Sequence, residues 1–345
     1  MKTALLKQIG KFEIHDTPKP QLEKDTDVLI RIKMVGVCGS DIHYFTTGRI
    51  GAQIVKYPFI VGHEAAGVVE QVGSKVTRVK PGQRVAIDPS IICGECDQCK
   101  AGRENTCREL VFMGNPVQRE GALCEYIVHD EKSLFPIAER TSYEQAVISE
   151  PLAIAVYAVE QSRIKSGDNV GVLGFGPIGM SVHQVLSTTE VGKIYVTDKI
   201  QYRLDLAQEL GAIWAGNPEE VDVESEIGNR EPLGLDIVYE CSGDHEIFNQ
   251  AIALLKPGGI LAIIGITEVD DVAFPIHELR RKEITILNIR RQSDSTQKAL
   301  DLLESGKVDV TKMATHHFKL EDTQAAFELV SNYRDGVMKA MIAVE

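Results

Sequence analysis

The chain has 345 residues, 43% hydrophobic and 25% charged, with a formal charge of −13 at pH 7. That length suits two domains with substantial cores, and the composition excludes extended disorder. The acidic balance argues against a nucleic-acid partner, and no apolar run approaches the ~18 residues of a membrane span.

The first seven residues lack the apolar core of a signal peptide, so a cytoplasmic location is expected. Residues 28–33 and 66–72 read as β-strands, and turn punctuation at 80–83 precedes another strand at 84–87. Little helical periodicity is predicted before about residue 140, which implies a small, irregular β-rich domain. Cys38, Ser40, His43 and Tyr44 lie in this part, as do His63 and Glu64. Glu150 falls where the next domain should begin. Cysteine, histidine and carboxylate ligands plus one water make an open, catalytic zinc site. Such a zinc would polarise a substrate hydroxyl and lower its pKa, so that hydride can leave towards a nicotinamide. Ser40 is two residues from Cys38, suitably placed to pass the alcohol proton outward, with His43 as the next relay member. Each residue alone has a plainer reading. Cys38 is then a small buried hydrophobe, His63 a hydrogen-bonded structural residue, and Glu64 or Glu150 a surface or ion-pair group. Cys124 and Cys241 are read as packing thiols.

Four of the seven cysteines crowd together as Cys93, Cys96, Cys99 and Cys107, a C-x2-C-x2-C-x7-C pattern. Four thiolates at short spacing close a tetrahedron around a structural zinc and leave no position open for chemistry. An iron–sulfur site normally has a shorter last gap and a following proline, whereas Arg108 follows here. Disulfides are disfavoured where no export signal is seen.

From about residue 145 the pattern changes. An Ala-rich buried helix is predicted over 145–161. Strands follow at 169–173, 193–197, 235–239 and 259–264, with helices at about 177–188 and 201–210, the latter stopped by Gly211. Alternation of this kind predicts an α/β fold with a doubly wound parallel sheet. Gly174-Phe175-Gly176-Pro177-Ile178-Gly179 is a G-x-G-x-x-G between a predicted strand and helix, where amides can face a pyrophosphate. Asp198 ends the next strand, and a carboxylate there holds ribose hydroxyls and repels a 2′-phosphate, favouring NAD over NADP. Lys199 and Arg203 are nearby cations that keep NADP open. Beyond about residue 290 only some 55 residues remain, ending in a strand-like 337–344. They are expected to rejoin the first domain, giving 1–150 and 289–345 around a nucleotide domain 151–288.

Together these motifs resemble the zinc-containing medium-chain dehydrogenase/reductase family over nearly the whole chain. The text around Cys38–Tyr44, Gly48–Gly51, Gly62–Gly67, Arg84–Ile87 and Glu150–Leu152 is most similar to its sorbitol (polyol) dehydrogenases. The resemblance implies a Rossmann domain beside a discontinuous GroES-like catalytic domain, two zinc ions and NAD. It also implies hydride transfer from a secondary alcohol of a polyol or sugar-like substrate, in a homodimer or homotetramer. By the same carry-over Cys38, His63 and Glu64 hold the catalytic zinc, with water and Glu150 completing or exchanging in its shell. Tyr44, Phe112 and Arg290 would line the substrate site, and Ile264, Gly265 and Ile266 would border the nicotinamide. One departure stands out: Arg291 follows Arg290 where the polyol enzymes usually have tyrosine. A second cation would favour a sugar acid or sugar phosphate, unless Arg291 points to solvent or a neighbouring subunit. L-Threonine dehydrogenase is a further alternative within the family. A non-catalytic dinucleotide-binding protein would be expected to have lost Cys38, His63 or Ser40, and all three are present.

Overall fold

The strand-like residues 28–33 lie within Asp27–Gly36, whose apolar Val28, Leu29, Ile30, Ile32 and Val35 are buried. This strand is the axis of a seven-stranded sheet in the computed structural model, which describes residues 1–345. Glu64–Val72 pairs antiparallel along one edge. The other edge is shared: Tyr126–Asp130 pairs with its first half and Lys339–Ala343 with its last residues. The C-terminal strand is therefore an integral part of the N-terminal sheet. Helix Thr323–Ser331 reinforces the connection, because Phe327 packs on Phe12 and Phe45 with ring centroids 4.6 and 5.5 Å apart.

Two compact units result, Met1–Glu150 with Thr296–Glu345, and Pro151–Ser295. The return to the first unit comes at Thr296 instead of residue 289. Ile289 still donates to the Ile263 carbonyl of the second sheet, whereas the Thr296 hydroxyl donates to Asp88 at 2.9 Å. Short helices at Gly39–Thr46 and Asp97–Lys100 interrupt the β-rich part where none was expected. At eight and four residues they are too short to show an amphipathic repeat.

The second unit holds six parallel strands in the spatial order Trp214–Gly216, Ile194–Thr197, Val170–Leu173, Leu235–Glu240, Leu255–Ile263, Thr285–Asn288. In chain sequence that order is 3-2-1-4-5-6, the doubly wound arrangement whose switch point lies at the carboxyl end of the first strand. Val170, Val172 and Leu173 are fully buried, as a strand covered on both faces requires.

Helix Pro177–Leu186 carries a buried histidine. His183 lies edge-on to Phe175 at 5.7 Å, and neither ring nitrogen has a hydrogen-bond partner. Burial depresses its pKa to about 4. In an unfolded chain histidine titrates near ~6.5, so between that pH and about 4 the unfolded state holds the extra proton. Stability therefore falls as pH falls through this window, by up to ~1.4 kcal/mol per pH unit from this residue. His183→Phe is expected to flatten the acid side of the stability profile in denaturant unfolding between about pH 7 and about pH 5. An unchanged slope would contradict the assignment.

Candidate catalytic metal centre and dinucleotide site

Gly36 ends the central strand with Glu64 as its partner on one side and Met341 on the other. Lys339 is two residues before Met341 and so shares its face of the sheet. Two residues beyond Gly36, Cys38 caps the N-terminus of helix Gly39–Thr46. The ligand atoms of Cys38, His63 and Glu64 all lie within 4.8 Å of one another. His63 and Glu64 are buried and Cys38 is half-buried. Glu150, on helix Tyr143–Gln161, is also buried, and its Oε2 has no hydrogen-bond partner. Burial pushes the Glu150 carboxyl up to about 7, with Glu64 and Asp88 adding to the effect and His63 and Lys339 opposing it. Thiolate, imidazole and carboxylate form a zinc donor set, and a cation would satisfy a buried orphan carboxylate oxygen. The residues fit a divalent metal.

Two residues that sequence reasoning missed support this cluster. Asp41 is fully buried. It accepts from the Cys38 amide at 3.3 Å and the Gly62 amide at 3.1 Å, and its Oδ1 lies 3.3 Å from His63 Nδ1. With the Nδ1 proton donated to Asp41, the remaining ring nitrogen is free to ligate. The capping position of Asp41, three residues into the helix, was the available signal. Lys339 is 1% exposed and donates to Glu64 Oε1 at 2.8 Å and Oε2 at 2.5 Å. Burial lowers its pKa, but the charges of Glu64 and Cys38 outweigh that and hold it above the usual value. A lone lysine in an apolar strand was its only mark in the sequence. Glu64 therefore already has a cationic partner, whereas the Glu150 oxygen has none.

The other expected residues are distributed as follows. The Ser40 hydroxyl donates to Cys38 Sγ at 3.5 Å. His43 lies one turn further along the same helix and is half-buried. The Phe112 ring lies 5.4 Å from that of His63, and the Tyr44 hydroxyl donates to Gln53 at 3.2 Å. Arg290 and Arg291 belong to the second unit, just after strand Thr285–Asn288, with Arg290 exposed and Arg291 half-buried.

The four clustered cysteines are all free thiols, and their sulfurs come together. Sγ separations are 3.5 Å for Cys93–Cys107, 3.6 Å for Cys96–Cys99, and 4.0 Å for both Cys93–Cys99 and Cys96–Cys107. A tetrahedron with ~2.3 Å zinc–sulfur bonds has edges of about 3.8 Å. Disulfides require ~2.05 Å, so the spacing fits a closed metal cage. Cys124 is buried, as its reading as a packing thiol requires, and Cys241 is half-buried.

In the second unit Gly174 leaves its strand at φ +91°, and a Cβ there would meet the Ser242 backbone at 2.8 Å. Pro177 is the first residue of helix Pro177–Leu186, and a Cβ on Gly179 would overlap the Gly174 carbonyl. Asp198 Oδ2 accepts from the Phe175 amide at 2.7 Å, and Oδ1 from the Ile200 amide at 2.9 Å. The acid thus braces the glycine loop itself. Arg203 is buried with Nη1 3.6 Å from Asp198, and Lys199 faces Glu219 and Asp244 at 3.2 and 3.6 Å. Both cations are therefore engaged by carboxylates. Ile178 opens the same helix as Pro177, Ile264 is half-buried, and Ile266 is exposed, both just past strand Leu255–Ile263.

Residues 24–139 match the alcohol dehydrogenase GroES-like domain, and residues 177–305 match the zinc-binding dehydrogenase domain. Sorbitol dehydrogenase of Bacillus subtilis is 34% identical over 343 residues, covering 99% of this chain and 97% of that protein. The chain belongs to the zinc-containing medium-chain dehydrogenase/reductase family. Among solved structures, an Escherichia coli oxidoreductase/dehydrogenase of unknown specificity superposes with a TM-score of 0.93 at 31% identity, covering 100% of this chain and 99% of that one. A second, described as a short chain alcohol dehydrogenase from E. coli CFT073 complexed with NADH, gives a TM-score of 0.91 at 28% identity, covering 99% of each chain. The chain is therefore a dehydrogenase whose chemistry uses zinc and a nicotinamide cofactor. No helix is long and apolar enough to cross a membrane.

Proposed function

We propose that this dehydrogenase oxidises a secondary alcohol of a polyol or sugar-like substrate to a ketone, with NAD as its cofactor and two zinc ions per chain. The observation that carries the reading is the cluster of Cys38, His63 and Glu64, whose His63 and Glu64 act electrostatically on the buried Glu150 with its unsatisfied oxygen. Cys38 and His63 hold the catalytic zinc, with Glu64 or Glu150 completing its shell. Cys93, Cys96, Cys99 and Cys107 hold the second zinc, which stiffens its lobe. When bound, zinc supplies Lewis acidity to a substrate hydroxyl and the nicotinamide ring supplies the hydride acceptor. Ser40 takes the alcohol proton, and His43 passes it towards solvent. Asp41 fixes the ring of His63, while Tyr44, Phe112 and Arg290 orient the substrate. Gly174, Gly176, Pro177, Ile178 and Gly179 receive the pyrophosphate, and Ile264 and Ile266 border the nicotinamide. Asp198 selects NAD: its carboxylate repels a 2′-phosphate, and Arg203 and Lys199 are both held by acids. The protein acts in the cytoplasm as a homo-oligomer.

A panel of pentitols, hexitols, aldonates, sugar phosphates and threonine, followed by NADH absorbance, tests the substrate class. Fastest turnover is expected with a pentitol or hexitol. Preference for an aldonate or phosphate would instead favour the second reading, in which Arg291 joins Arg290 in holding an anion.

A further inference from the structure

Glu240 ends strand Leu235–Glu240 at the level of Leu173 on one neighbouring strand and Ile263 on the other. Its side chain is fully buried among these apolar neighbours, where a carboxylate is costly to keep. Oε1 accepts three hydrogen bonds, from the Ser242 amide, the Ser242 hydroxyl and the Gly243 amide, each at 2.7 Å. The Glu240 main-chain carbonyl accepts from the Ile264 amide at 2.9 Å and the Gly265 amide at 3.1 Å. Oε2 has no partner and lies so close to Gly265 that a Cβ there would meet it at 2.5 Å. Ser242, in turn, is packed against Gly174. The segments that follow three adjacent strands are thus tied together around one residue.

We infer that Glu240 is a positioning residue for the dinucleotide, holding Gly174, Ser242 and the turn at Ile264–Ile266 in the shape on which the nicotinamide half rests. The inference rests on the dinucleotide reading given above. Packing alone would be served by an apolar residue at this level, as Leu173 and Ile263 serve it on either side. The carboxylate differs from them by gathering donors from the next loop. Ser242 is exposed while its acceptor is not, so the bond reaches from the buried strand end to the surface rim.

The test is NADH affinity by fluorescence titration of the zinc-loaded full chain, together with KM for NAD and kcat on the substrate that the panel identifies. Glu240→Ala is expected to weaken NADH binding about tenfold or more and to raise KM for NAD in parallel, with kcat at saturating NAD within about threefold. Glu240→Gln retains an acceptor and recovers most of the affinity. Ser242→Ala, at an exposed position, removes one of the three donors and weakens binding about threefold without impairing folding. Unchanged affinity in Glu240→Ala overturns the inference, as does equal loss in Glu240→Ala and Glu240→Gln. If Glu240→Ala does not fold, unchanged affinity in Ser242→Ala overturns it alone. Wild-type protein that fails to bind NADH overturns the dinucleotide reading itself, and the inference with it.

Discussion

Cys38→Ser is expected to lower alcohol oxidation about 10³-fold or more while leaving NADH affinity within about twofold. A serine hydroxyl stays protonated at neutral pH and is a poor zinc ligand, so the cluster loses its anionic sulfur. Lewis-acid assistance is worth several kcal/mol, which at ~1.4 kcal/mol per tenfold gives this magnitude. Binding is spared because Gly174, Gly179 and Asp198 belong to the other unit, with its own sheet and core. Steady-state rates and a fluorescence titration on the same preparation measure both quantities. Turnover equal to wild type would remove the catalytic role of the cluster.

Lys339→Met is expected to destabilise the protein by about 3–5 kcal/mol, the loss typical when one partner of a buried ion pair is removed. Both partners are only 1% exposed, so water cannot solvate the Glu64 carboxylate left behind. Methionine fills a similar volume, which isolates the charge effect from a cavity effect. Adding Glu64→Gln neutralises the stranded carboxylate and should recover part of the loss, giving a positive coupling in a double-mutant cycle. Denaturant unfolding of the metal-free proteins makes the comparison without metal binding to Glu64. A cost near the ~0.5 kcal/mol of an ordinary surface substitution would contradict the buried pair.

The readable parts of this chain were those where chemistry is packed into short spacing. The strands 170–173 and 194–197, the glycine loop and Asp198 follow one another within one βαβ unit, so pattern and position reinforce each other. The cysteine cage was equally visible, because Cys93 to Cys107 lie within one short stretch of chain. Lys339 was not legible, since it reaches Glu64 only through the return of the last strand onto Gly36, across 275 residues. Asp41 was passed over beside the more conspicuous Cys38, His43 and Tyr44. The helix that Cys38 caps is too short to announce itself by periodicity, and the role of Asp41 depends on His63, which precedes strand Glu64–Val72, arriving beside it. Glu240 was hidden for a related reason: within a strand it looks like a polar end residue, its bonds to nearby Ser242 show only in the folded turn, and strand order alone brings Ile264 beside it.

Following NADH formation and zinc content together through chelation and reloading decides whether oxidation of a secondary alcohol by NAD depends on zinc. Near two zinc ions per chain are expected in the active protein, with loss of NADH formation as the more exchangeable ion leaves and recovery when zinc is returned. NADH formation that persists at full rate after both ions are removed would contradict that dependence.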